Sequence, residues 1–380
     1  MKRITILGST GSIGKNTLDV IRHQSQLTVR ALACYSNIDA LILQAETFHP
    51  DYLCIINKNK YKELKEKVGN KYNILIGYEG CEELAMDKKT DIVVVSTVGS
   101  KIVKAFIKAI ESGKRIAIAN KESLVAYGYI LTDLIKKNSD RIIPVDSEHS
   151  AIYQCLLGNR RRDLKRIILT ASGGPFRNRD DLNNITIEDA LKHPNWIMGK
   201  KITIDSATLF NKGLEVNEAH TLFGISPEEI EVLIHHQSII HSMVEYKDGS
   251  IIAQMSLPDM RIPIQYALSF PKRWQGIVKS IDFDDIKELT FDKPDFKKFP
   301  LLKIALRAMR TGGTMPAVIS RADELAVNAF LEGKIKFLDI VSIIQKTFAE
   351  HKVITDPSIK DIENAESWAS ENARRLIEKC

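Results

Sequence analysis

A short apolar run, Ile4-Thr5-Ile6-Leu7, leads straight into Gly8-Ser9-Thr10-Gly11-Ser12-Ile13-Gly14, and a helical pattern through Thr17, Leu18, Val20 and Ile21 follows. Strand, glycine turn and helix in that order form the opening unit of a dinucleotide-binding sheet. The glycines allow a tight turn and close backbone approach, and the helix N-terminus faces a pyrophosphate. The spacing G-x-x-G-x-x-G varies the usual G-x-G-x-x-G, and a plain turn before any helix is the alternative; its position at the first strand favours nucleotide binding. Further apolar runs at 28–34, 52–56, 73–76, 91–97, 115–119 and 141–145 read as buried strands, with an amphipathic helix at 102–110 and another carrying Leu124, Val125, Ile130 and Leu134. Strands alternating with helices predict a parallel, doubly wound, Rossmann-like α/β sheet that binds ligands at the strand C-terminal ends.

Several polar groups fall at such ends. The second strand ends in Tyr35-Ser36-Asn37, with no acid before Asp39. An acid there would hold a ribose 2′-hydroxyl; its absence favours a 2′-phosphate, hence NADPH over NADH, with Ser36 and Asn37 as donors. Asn120, Lys121 and Glu122 lie at another end and suit contact with cofactor or substrate, an ordinary helix N-terminal turn being an equally good reading. Asp146 and Glu148 flank Ser147, and if the strand 141–145 continues its alternation they point to one side. Paired carboxylates suit a hard divalent cation; a solvated turn or a helix N-cap is the alternative.

The pattern then changes. Ser172-Gly173-Gly174 offers a hydroxyl and free amides, as an anion nest or as a simple turn. Pro194 and Gly199 punctuate a loop carrying His193, Trp196 and Met198, either packed down or acting as a lid. Residues 201–205 read as a strand. Beyond Ser206, Asn211 and Glu215 share a helical face beside Lys212, and Gly213 between them implies close approach by another group. Residues 231–235 and 243–257 read as sheet. His235, His236 and His241 read as core or surface histidines, since no carboxylate motif accompanies them. The segment 270–300 reads as a linker. Helical patterns recur at 301–310, 318–332, 336–350 and 361–378, as in a small bundle.

A length of 380 residues predicts two or three domains, and the charge of +6 favours anionic ligands without demanding nucleic acid. The basic run at 160–166 has no interleaved aromatics and reads as a solvated rim. Five scattered cysteines without a C-x-x-C pair point to reduced thiols in a cytoplasmic protein. No apolar run is long enough for a membrane span, and no leader precedes the first strand.

Six motifs occur in order: 8–14 (Gly-Ser-Thr-Gly-Ser-Ile-Gly), 119–123 (Ala-Asn-Lys-Glu-Ser), 144–149 (Pro-Val-Asp-Ser-Glu-His), 171–176 (Ala-Ser-Gly-Gly-Pro-Phe), 193–196 (His-Pro-Asn-Trp), and 205–215, opening Asp-Ser-Ala-Thr and closing Asn-Lys-Gly-Leu-Glu. Together they make the whole chain resemble the 1-deoxy-D-xylulose 5-phosphate reductoisomerase family. The resemblance implies NADPH-dependent rearrangement and reduction of that substrate to 2-C-methyl-D-erythritol 4-phosphate, an early step of the non-mevalonate isoprenoid route. It implies Asp146, Glu148 and Glu215 as ligands of Mg²⁺ or Mn²⁺, with Co²⁺ also suitable. Lys121 and Ser147 match contacts to the substrate backbone. Ser172, Ser206, Asn211 and Lys212 match the phosphate-holding groups, with His193 and Trp196 on the lid. Thr10, Gly11, Ser12, Ile13, Ser36, Asn37, Asn120, Glu122 and Gly199 match cofactor contacts. A homodimer is the family expectation.

The expected organisation is an NADPH-binding domain over 1–145, a central α+β catalytic domain over 146–269, a linker over 270–299 and a C-terminal α-helical domain over 300–380. Two departures from the family pattern stand out: Tyr35-Ser36 replaces a glycine and a basic residue, and Asp323 stands before Glu324 where an asparagine is usual. The competing readings are a related metal-dependent NADP oxidoreductase acting on another phosphosugar, and an inactive dinucleotide-binding sensor. The sensor is disfavoured because the three carboxylates and Lys212 are all present.

Overall fold

The computed structural model describes residues 1–196 and 198–380, so Ile197 of the expected lid lies outside the described residues. The chain forms two compact units, each assembled from separate stretches: Met1–Ser123, Lys137–Ser150 and Asp259–Lys279 in the first; Leu124–Lys136, Ala151–Pro258 and Ser280–Cys380 in the second.

The first unit is built on strands β1 (Lys2–Leu7), β2 (Leu27–Cys34), β3 (Tyr52–Ile55), β4 (Asn73–Ile76), β5 (Ile92–Val95), β6 (Arg115–Ile118) and β7 (Ile142–Pro144). They form one sheet in the order β4-β3-β2-β1-β5-β6-β7, with every pairing parallel. Helices cover a parallel sheet on both faces, so its strands need apolar side chains on both sides. That is why the four residues of β5 are all buried valines or isoleucine. The strand order reverses between β1 and β5, and this switch point opens a crevice at the strand C-termini. Helix Arg261–Ser269 returns to this unit and packs on helix Ser12–Arg22, where Arg261 bonds Asp19 at 3.1 Å.

The second unit holds a mixed sheet of β8 (Leu164–Ala171), β9 (Ile230–Ile234), β10 (Ile240–Tyr246) and β11 (Ile251–Met255), in the order β11-β10-β8-β9. Helices Pro300–Thr311, Met315–Leu331, Phe337–Glu350 and Ile359–Ile377 match the four periodic stretches of the sequence. A single apolar cluster joins sheet and helices, running from Ile167 and Leu169 through Phe210 to Leu302, Ile319 and Ile344. Residues 270–299 carry little regular structure beyond a 3-10 turn at Phe283–Asp285 and an isolated bridge from Asp292 to Ile234.

One expected strand is absent. Residues 201–205 lie in helix Lys200–Ala207, not in a sheet. Its β-branched residues mimic a strand over five positions, but Thr203 Oγ1 donates to the Gly199 carbonyl at 2.9 Å and Lys201 meets Asp205 one turn on, both helical spacings.

The expected close approach at Gly213 is present. A Cβ built there would sit 2.3 Å from the Cβ of Ala305 on helix Pro300–Thr311. Gly213→Ala should therefore lower stability by about 1–3 kcal/mol through overpacking, despite alanine's better helix propensity. A urea titration of the variant and the parent reads this as a lower midpoint.

Candidate active site

At the sheet's switch point the backbone itself requires glycine. Gly8 has φ +102°, and a Cβ there would lie 2.6 Å from the Ser96 carbonyl group. A Cβ on Gly14 would lie 2.3 Å from the Gly8 oxygen. These two contacts fold the turn against β5 and lay the helix start on it. Gly11 caps helix Ser12–Arg22 with no side-chain hydrogen bond, and its first turn carries no acid. Its leading amides thus face outward without a local anion, the arrangement that binds phosphate groups. Thr10, Gly11, Ser12 and Ile13 are all at least partly exposed.

Beside this turn, Tyr35 is 60% exposed at the end of β2, and Ser36 and Asn37 are exposed with it. The Asn37 Oδ1 accepts from the Ala40 amide at 3.1 Å and caps the next helix. Asp39, the first acid after β2, is engaged by Lys67 at 2.7 Å. Asn120 is fully buried; its Nδ2 donates to the Thr97 and Gly99 carbonyls at 2.7 and 2.9 Å and to Glu122 at 3.2 Å. The Asn120 side chain therefore ties the end of β6 to the end of β5, leaving Glu122 as the more accessible of the two.

The acidic pair is arranged differently from the strand alternation expected. β7 stops at Pro144, and Ser147 already begins helix Ser147–Leu156, which puts Glu148 on a helix's first turn. The carboxylates of Asp146 and Glu148 still approach within 4.8 Å. Lys121 Nζ lies 2.8 Å from Asp146 Oδ2, and the buried ring of His149 lies 3.8 Å from the same oxygen. Burial opposes the charged form, but the Lys121 ammonium and the His149 ring hold the Asp146 carboxyl well below the usual carboxylate range. The Ser147 hydroxyl donates to Glu148 Oε2 at 2.5 Å.

In the second unit, the turn after β8 and the loop 193–196 converge. His193 Nδ1 accepts the amides of Trp196 at 2.9 Å and Asn195 at 3.2 Å. An accepting Nδ1 puts the neutral ring's proton on Nε2, which donates to Ser172 Oγ at 3.0 Å. The Gly174 amide also donates to this hydroxyl, at 3.2 Å. With both bonds directed onto its oxygen, the Ser172 O–H is oriented as a donor. Gly174 has φ +67°, and a Cβ there would meet the Ser206 carbonyl at 2.6 Å, so the glycine lets the turn settle on helix Lys200–Ala207 beside Ser206. Asn195 anchors the loop through the His236 carbonyl at 2.6 Å, and the Trp196 ring stands edge-on to His241 at 5.9 Å.

The chain breaks between helices at Leu209, which is left-handed at φ +57°, and resumes as helix Phe210–Phe223. A non-glycine residue held there is strained and re-aims the new helix. As expected, Asn211, Lys212 and Glu215 share a face. Asn211 Nδ2 donates to Glu215 Oε1 at 2.5 Å, and Lys212 pairs with Glu215 in a buried ion pair. Gly199 is exposed at the cap of helix Lys200–Ala207. His235 and His236 are used structurally, bonding the Thr290 carbonyl and Asp292. Sequence reasoning gave no structural role to His149, to the buried Glu218 one turn beyond Glu215, or to the trio Lys201, Asp205 and Asp323, of which the two aspartates are buried. His149 left a trace three residues after Asp146, and Asp323 left one as a departure from the family pattern.

A switch-point crevice with an open helix terminus, together with paired lysines and carboxylates at helix starts, defines a dinucleotide-dependent oxidoreductase. Family models described as 1-deoxy-D-xylulose 5-phosphate reductoisomerase, as its C-terminal domain, and as DXP reductoisomerase C-terminal domain match residues 4–128, 142–223 and 255–372. The 1-deoxy-D-xylulose 5-phosphate reductoisomerase of Chlorobaculum tepidum is 49% identical over 99% of this chain and 100% of its own length. That of Caldanaerobacter subterraneus subsp. tengcongensis is 50% identical over 95% and 96%. The Zymomonas mobilis enzyme, solved in complex with NADPH, superposes with a TM-score of 0.91 at 41% identity over the whole of both chains. A DOX-P reductoisomerase in complex with NADPH, fosmidomycin and magnesium gives 0.93 at 37% identity, covering 100% of this chain and 98% of that one. The chain belongs to the 1-deoxy-D-xylulose 5-phosphate reductoisomerase family.

The Ser172 turn can be tested alone. Gly174→Ala must relieve both the φ strain and the contact with Ser206, so the turn should lift from the helix. Inorganic phosphate binding, followed by calorimetry, should weaken roughly tenfold.

Proposed function

We propose that this chain carries out the NADPH- and divalent-metal-dependent rearrangement and reduction of 1-deoxy-D-xylulose 5-phosphate to 2-C-methyl-D-erythritol 4-phosphate, supplying isoprenoid precursors by the non-mevalonate route. The observation that carries the reading is full-length identity of about one half to named reductoisomerases, with all the motif carboxylates and Lys212 in place.

The donor set fits the groups implied. Asp146 and Glu148 bring hard oxygen donors together, and Lys121 and His149 keep Asp146 ionised, as a ligand must be. Asp146, Glu148 and Glu215 would hold Mg²⁺ or Mn²⁺, which when bound polarises the substrate's carbonyl and hydroxyl oxygens. The turn 10–13 would receive the pyrophosphate of NADPH, the hydride source, with Ser36 and Asn37 at its 2′-phosphate. The chain's own residues then bind and orient. Ser172, Ser206, Asn211 and Lys212 offer hydroxyls, an amide and a cation to the substrate phosphate, a set suited to a phosphate monoester. His193 keeps Ser172 turned as a donor and fixes the loop behind Trp196, which closes over the substrate and excludes water. Lys121 and Ser147 contact the substrate's carbon backbone.

Two broader features belong to the same reading. β11 is an edge strand with Ile251 and Ile252 52% and 41% exposed, and a second copy pairing there would make the homodimer. Free cysteines throughout the chain suit the reducing cytoplasm. No described helix is long and apolar enough to cross a membrane.

The test is NADPH oxidation with 1-deoxy-D-xylulose 5-phosphate, with and without Mg²⁺, followed by product analysis. A branched tetrol phosphate that requires metal is expected; an unbranched product would reassign the chain to simple phosphosugar reduction. Glu215→Gln should cut turnover roughly a hundredfold or more while leaving NADPH affinity nearly intact. A fluorescence titration of the cofactor beside the rate separates the two, and equal loss of both would remove Glu215 from the metal set.

A further inference from the structure

Helix Lys200–Ala207 is fastened to helix Met315–Leu331 by an unusual buried cluster. Lys201 Nζ lies 2.5 Å from Asp205 Oδ2 and 2.7 Å from Asp323 Oδ2. The side chains of Asp205 and Asp323 are 3% and 0% exposed. Two buried carboxylates thus share one ammonium whose side chain is only 19% exposed. If both were ionised, the cluster would bury a net negative charge, which is costly; one retained proton makes it neutral. Lys201 and Asp205 stand four residues apart on the same helix, so their pair holds that helix to nothing else. Asp323 is the link across to the other helix. Burial first, and the Asp205 charge second, push the Asp323 carboxyl well above its usual range against the pull of Lys201.

We propose that Asp323 is a positioning residue that stands as the neutral acid against the Lys201 ammonium, beside the Lys201–Asp205 pair, and so fixes the helix that presents Ser206 to the phosphate subsite. The inference rests on the phosphate reading of Ser172 and Ser206 given above. Position 323 then does the work of an uncharged amide with a carboxylic acid. The anchor reaches the subsite along a short path, because the Gly174 turn rests on the Ser206 carbonyl and Leu209 launches the helix bearing Asn211 and Lys212.

Two variants of the full-length protein test this, with amide hydrogen exchange over 200–207 and steady-state kinetics as readouts and circular dichroism as the check on folding. Asp323→Leu keeps the branched shape, at a larger volume, but removes the link. Exchange over 200–207 should quicken roughly tenfold, and the KM for 1-deoxy-D-xylulose 5-phosphate should rise about fivefold with kcat little changed. Asp323→Asn keeps a donor and an acceptor but cannot ionise, and should match the parent in both readouts. Unchanged exchange in Asp323→Leu would overturn the anchor. Asp323→Asn impaired in exchange and KM would show that a negative charge is needed there, and would overturn the neutral acid even if Asp323→Leu does not fold. Ser206→Ala with a parental KM would instead defeat the phosphate reading, while leaving the exchange result on Asp323 standing.

Discussion

A carboxylate is expensive to keep inside a protein unless a cation sits beside it. The polar architecture of this chain follows from meeting that condition repeatedly with lysine. Lys121 meets Asp146 in the first unit; in the second, Lys212 meets Glu215 and Lys201 meets Asp205 and Asp323. In two of these groups the partners lie three or four residues apart on one helix, so forming the helix already forms the pair. The charged side chains thereby have fixed rotamers before any ligand arrives, and the neighbouring hydroxyls and amides are ordered around them. Binding such a framework requires little further ordering.

Backbone conformation supplies the second layer. The dinucleotide turn is compressed against β5 because Gly8 and Gly14 leave no side chain in the way. The Ser172 turn and helix Lys200–Ala207 touch for the same reason at Gly174, and Leu209 adopts a left-handed conformation to redirect the chain. These positions contribute no functional group of their own. They decide how near the functional groups come to one another.

Much of this was legible in the sequence, and the limits have physical causes. Buried parallel strands must be apolar on both faces, so β1, β2, β5 and β6 stood out as largely apolar runs, unbroken only in β5, and the C-terminal helices showed their period over ten residues or more. The run 201–205 is too short for period to discriminate, and its β-branched residues favoured the wrong state; contacts to Gly199 and between Lys201 and Asp205 decide it. Glu148 was assigned to a strand end because Pro144 gives no sign of where pairing stops. The face shared by Asn211 and Glu215 was readable, since helical spacing alone creates it. The cluster at Asp323 was not, because it joins residues more than a hundred positions apart and nothing local distinguishes a buried aspartate from a solvated one.

The cysteines lend themselves to a different use. Cys34, Cys54 and Cys81 are buried in the first unit and Cys155 in the second, while Cys380 is exposed. A thiol reagent applied to the native protein meets Cys380 at once and the others only as the chain opens. Because the buried thiols are divided three to one between the units, mapping which peptides become alkylated over time distinguishes separate opening of each unit from concerted unfolding. The chain thus carries its own chemical clock, with no label introduced.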